Sequence, residues 1–171
     1  MGIFGAIWGL TGVLLLLGSA VYRLTPLAIE AFSYDFSWYH WLSLVLVLFF
    51  MAYAEGYRGF QKAFSPRVAA RALYLKNNPC FLHALFAPFF CMGFFHASRR
   101  RKITSFSVTT AIIVLIISVR FLNQPWRGII DAGVVLGLAW GLISLMIFSY
   151  QAFTQKEFTY SPEVSEENTT K

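Results

Sequence analysis

Long uncharged runs alternate with short charged stretches along this chain. Ile3 to Tyr22 is the first such run, closed by Arg23. The second lies between Asp35 and Glu55 and predicts a helix over 38–54. The third runs from Pro79 to Ser98, the fourth is predicted over 103–121, and the fifth over 130–153. A helix needs about 20 apolar residues to cross a bilayer's hydrocarbon core. The runs approach that length and lack the period-two alternation of a membrane barrel. They predict an all-α integral membrane protein. The expected architecture is one polytopic helical bundle over 1–155, followed by a disordered polar tail over 156–171.

The third run, CFLHALFAPFFCMGFFHAS, differs from the others. Pro88 at its centre removes a backbone donor, and Gly93 weakens its second half. Charge sharpens the difference. If all five runs cross, Lys and Arg divide seven against seven between the two faces. If the third enters and leaves on one side, the division becomes eleven against three. Cytoplasmic loops carry the Lys and Arg excess. The sequence therefore predicts four spans plus a re-entrant segment over 79–98, with both termini cytoplasmic. The alternative is five spans with a Pro-kinked third. Trp38, Trp41 and Trp126 fall together at the external interface in the four-span arrangement, as an aromatic belt does.

Composition agrees with this picture. The chain has 171 residues, of which 57% are hydrophobic and 13% charged, against about 25% charged in soluble domains. A soluble fold of this size could not hide that much apolar surface. The net charge of +6 reads as basic loops beside anionic lipid rather than as a nucleic-acid surface, since no nucleic-acid motif accompanies it. The expected location is a bacterial inner (plasma) membrane. The N-terminal MGIFGAIWGL has no basic n-region, so it reads as an uncleaved first span. Cys80 and Cys91 imply no disulfide framework.

The densest charge lies in AEGYRGFQKAFSPRVAARALYLK. Arg58 and Lys62 share a helix face, as do Arg67 and Arg71. Ser65-Pro66 is a suitable N-cap and N1 pair, so a new helix is predicted over 65–76. With Val68, Ala69, Ala72, Leu73 and Leu75 in lipid and Arg67 and Arg71 toward phosphates, this would be an in-plane interfacial helix. Arg58, Lys62, Arg67, Arg71, Arg99, Arg100, Arg101 and Lys102 are the candidate contacts to anionic head groups. Glu55, at the predicted edge of the second span, is a candidate functional group, with a local salt bridge to Arg58 as the simpler account.

Three other features carry candidate roles. Gly133, Gly137 and Gly141 stand one turn apart and form a small-xxx-small face that admits another helix closely. Gly5 and Gly9 are the expected partner face, with a homo-oligomer or another membrane protein as the alternative user. Arg127 and Asp131, four apart, are expected to pair, and Asp131 suits a helix N-terminus. His83 is a candidate polar group of the broken third run. No cofactor or metal is predicted, because His40, His83 and His96 are scattered and Cys80-x-x-His83 is half a site at most. HExxH, GxSxG and P-loop motifs do not occur. The leading expectation is a non-enzymatic assembly, scaffold or accessory subunit acting through helix contacts. A small transporter or channel using the broken segment comes second, and a lipid- or haem-linked enzyme third.

Overall fold

The computed structural model describes residues 2–78, 81–155 and 158–164, without the side chains of residues 81, 82, 100 and 101. Four of its helices are long and apolar enough to cross a membrane: Gly2–Ser33, Trp38–Asn77, Lys102–Arg120 and Trp126–Thr154. The first comprises α1 (Gly2–Glu30) and a short 3-10 turn, Ala31–Ser33. It does not stop at Arg23. The second is α2 (Trp38–Met51), a π-helical segment (Ala52–Phe64) and α3 (Ser65–Asn77), joined without interruption into a rod of 40 residues.

The third apolar run forms no long helix. It breaks into α4 (Phe81–Leu85) and α5 (Ala87–Met92). Phe86 leaves helical geometry between them, and Pro88 sits in the first turn of α5, where its missing N–H costs nothing. Gly93, at φ 87°, caps α5 in the left-handed conformation that a Cβ disfavours. The remaining helices are α6 (Arg99–Arg120) and α7 (Trp126–Thr154).

Contacts at the helix ends give the arrangement. Gly2 lies against the Lys76 carbonyl, and the Lys76 ammonium sits 5.3 Å from the Phe153 ring centre. At the opposite end Gly128 meets Ala31 and Leu27, and Trp126 packs on Tyr39 and His40. Thus α1 runs antiparallel to both the α2–α3 rod and α7. The apolar core lies toward the Lys76 end. There Ala6, Leu10, Val13 and Leu17 of α1, on one face at helical spacing, meet Val68, Ala72 and Leu75 of α3, Ala87, Phe90 and Cys91 of α5, and Leu145 of α7.

The broken segment follows α1 for part of its length. Ala84 rests on Gly5, Ala87 and Cys91 on Gly9, and Pro88 on Gly12. From Gly2 to Gly12 is about 15 Å of helix. The chain then turns back, and Ser98 donates its N–H to the Glu163 carbonyl. Both ends of the segment therefore lie at the Lys76 end of the bundle. From there α6 runs to the Trp126 end. It is tied near its start by Ser105 to the Met92 carbonyl, and beyond its end by Gln124 to the Leu27 carbonyl. Along α6, Ile103, Ile112, Ile113, Val114, Ile116 and Ile117 are exposed, and the helix stands apart from the other three.

Three expectations are corrected. Residues 65–76 are not a separate interfacial helix but the end of the second rod. Val68, Ala69, Ala72 and Leu75 are buried against protein, because the hairpin and the N-terminal half of α1 cover them. Ser65 is no cap: its N–H still reaches the Phe60 carbonyl in the π register, and Pro66 falls where α bonding resumes. Finally, residues 158–164 of the supposed disordered tail are placed as a strap. Val164 packs on the core and pairs with Ala97 in an isolated antiparallel bridge. Residues 156–157 and 165–171 lie outside the described residues.

Candidate functional site

Two polar constellations interrupt this apolar molecule. The first is built on the π-helical segment, AYAEGYRGFQKAF. π-helices are rare, appear mostly as single turns, and concentrate at functional sites; this one covers 13 residues. Its packing partner is the glycine face of α7. Gly133 lies against Val47 and Met51, Gly137 against the Glu55 side chain, and Gly141 against the Phe60 ring. A Cβ at Gly137 would lie 2.9 Å from Glu55 Oε2. On the other side of the contact, Gly56 accommodates the Trp140 ring, and Trp140 Nε1–H donates to Gln61 Oε1 at 2.9 Å.

Glu55 is half-buried in this contact, and among the described residues its carboxyl has neither a hydrogen bond nor an ion pair. The expected bridge to Arg58 does not form. The wider π turn, bonded i to i+5, carries residue i+3 away from the face on which an α-helix would put it, and Arg58 is exposed. Glu55 lies level with Gly137, about 16 Å along α7 from Trp126 and about 26 Å from Thr154.

The second constellation is centred on Arg71, among the largest fully buried side chains at 2% exposure. Its Nε donates to the Phe90 carbonyl at 2.7 Å and its Nη1 to the Pro162 carbonyl at 3.1 Å. Nη2 donates to the carbonyls of Phe95 at 2.6 Å and His96 at 3.3 Å. The guanidinium also lies 4.4 Å from the centre of the Phe90 ring. One side chain thus ties α3, the returning arm of the hairpin and the C-terminal strap together. The head-group role expected of Arg71 is overturned, since the hairpin and the strap enclose it.

The same fold brings His83 and His96 together, their rings edge to face at 4.3 Å between centres. His83 also stacks on Phe90 at 4.8 Å. Burial, the neighbouring His96 and the Arg71 charge hold the His83 pKa below its ordinary value. Burial pushes the Cys91 thiol up to about 12, against a smaller opposing effect of Arg71. His96 has a left-handed backbone, φ 45°, uncommon for a residue with a Cβ. Sequence reasoning left the two histidines apart, although Pro88 and Gly93 between them are the signal for the turn that joins them.

The other candidates are placed as follows. Arg127 and Asp131 pair at 3.7 Å within α7. Gly5 and Gly9 do not meet the α7 glycines, because the hairpin occupies their face. The α7 glycines are taken up within the chain by the second rod. Arg58, Lys62, Arg99 and Lys102 are exposed, and Arg67 is partly buried, its Nε bonded to the Ala63 carbonyl. Arg100 and Arg101 belong to α6, but their side chains lie outside the described residues, as does Cys80. Among the described residues no three His, Cys, Asp or Glu side chains gather as metal ligands do. No protein-family model, curated protein or solved structure matches this chain.

Proposed function

We propose that this chain is an integral membrane protein that carries protons or a small cation, with Glu55 as the exchanging group. The observation behind this reading is the Glu55 carboxyl, without a partner among the described residues and midway along a helix apolar enough to span. The aromatic cluster of Trp38, Tyr39 and Trp126 suits one membrane interface. With that cluster at the surface, Glu55 lies about 16 Å inside a core about 30 Å thick. Ionisable groups at that depth are costly and mark ion pathways. In the same reading α4 and α5 form a re-entrant hairpin, and the Lys76 end faces the cytoplasm of a bacterial inner membrane. Lys62, Arg99 and Lys102 then lie toward the anionic head groups of that face.

Flux in proteoliposomes tests the function. Vesicles loaded with a pH-sensitive dye, and in parallel with sodium or potassium indicators, should show flux above empty vesicles. Glu55→Gln should abolish it and Glu55→Asp should retain part. Equal flux in wild type and Glu55→Gln, or no flux above empty vesicles, would sink the idea. The outlying α6 favours a second reading, an accessory subunit whose α6 meets a helix of another membrane polypeptide. A monomeric, partner-free particle in mild detergent would remove it.

A further inference from the structure

The hairpin and the C-terminal strap meet at a junction that the proposed transport does not use. There, Arg71 gathers carbonyls from both arms of the contact, Phe90, Phe95 and His96 on the hairpin and Pro162 on the strap. The strap adds the Ala97–Val164 bridge and the Ser98 to Glu163 hydrogen bond. Two residues at this junction, His96 at φ 45° and Glu163 at φ 48°, hold left-handed backbone without being glycine. Such conformations persist only where their surroundings impose them, and they recur at switch regions. Against this junction lies the imidazole pair of His83 and His96.

We propose that the His83–His96 contact is an acid-sensitive latch, in which protonation of His83 beside the fixed charge of Arg71 releases the returning arm of the hairpin and the strap.

The charges around the pair favour this direction. Arg71 of α3 faces the pair and shares the Phe90 ring with His83. Arg67 lies one turn earlier on α3, and the carboxylate acting on it is Glu163 of the strap. Arg99 and Lys102 of α6 are exposed beyond the bridge. Protonating His83, in edge contact with His96, adds a positive charge to this basic end, with Glu163 the nearby acid that the strap itself brings. A group whose folded pKa is depressed stabilises the closed form above its unfolded pKa, about 6.5 for histidine. That contribution is lost as pH falls toward the folded value. Each proton taken up on opening raises the open fraction by as much as about tenfold per pH unit.

Cys91 reports the opening, because it is buried in the hairpin against Gly9. The experiment uses the full chain in liposomes with Cys80→Ser, and follows N-ethylmaleimide labelling of Cys91 from pH 7.5 to 5.5. Rates are divided by those of a His83→Phe variant at the same pH, which cancels the thiol's own titration. The ratio should climb below about pH 6.5 and level off above it. A ratio constant across the range overturns the latch. His83→Leu provides the same comparison if His83→Phe does not fold. In the unsubstituted chain, hydrogen exchange at Ser98, corrected for intrinsic rate, should lose protection with acid; retained protection also overturns the proposal. Neither readout depends on flux, so the latch and the Glu55 reading fail separately.

Discussion

Arg58 and Arg71 are alike in the sequence, two members of one basic stretch, and opposite in the structure. Arg58 is exposed, whereas Arg71 is enclosed and bonded to four carbonyls. What separates them is the hairpin, which returns over Arg71 from 19 to 25 residues away in sequence. A local pattern of basic and apolar positions carries no trace of that contact. Lysine cannot replace the planar fork of donors. Arg71→Lys should therefore leave buried carbonyls without donors and destabilise the chain by about 2–4 kcal/mol, while Arg58→Ala stays within about 0.5 kcal/mol. Chemical unfolding in detergent followed by tryptophan fluorescence compares the two. Equal effects would contradict the clamp. Glu55 was visible as an odd carboxylate at the edge of an apolar run. Its inward position was not, because it depends on the π winding.

Elements were legible where one apolar run makes one helix, as in α6 and α7. They were misread where charge coincides with continuation. The second rod passes through Glu55, Arg58 and Lys62 without ending, since its buried face there is made by Glu55, Gly56 and Phe60 against α7. Ser65-Pro66 has the composition of a helix start, yet it marks a change of hydrogen-bond register. The break in the third run was legible from Pro88 and Gly93, because each alters the backbone directly. The seat of the hairpin was not, since the α1 glycines suit any close partner. Gly12 supplies a test at this scale. A side chain there would begin with a Cβ 2.4 Å from Pro88 Cγ. Gly12→Leu should therefore displace the hairpin at an overpacking cost of about 1–3 kcal/mol. Faster maleimide labelling of Cys91 at neutral pH, in a Cys80→Ser background, is the expected outcome. Unchanged protection would mean that the hairpin does not rest on α1.

At the scale of the whole molecule, three long elements pack together and α6 stands beside them. A helix apolar on every face reads the same in sequence whether protein or lipid surrounds it, so its separation was not legible. The path of the third run was expected from the division of charge. Placing eleven Lys and Arg on one face and three on the other requires the third run to begin and end on one side. The described backbone has that geometry, with Asn78 and Arg99 both at the Lys76 end. The membrane topology proposed for this chain rests on it. The direct test places single cysteines at Asn78 and Arg99 in a chain lacking Cys80 and Cys91. An impermeant maleimide is then applied to right-side-out and to inverted vesicles. Both positions should react only in the inverted vesicles, the cytoplasmic face. Labelling of Asn78→Cys and Arg99→Cys from opposite faces would mean that the third segment crosses the membrane, and would contradict the account.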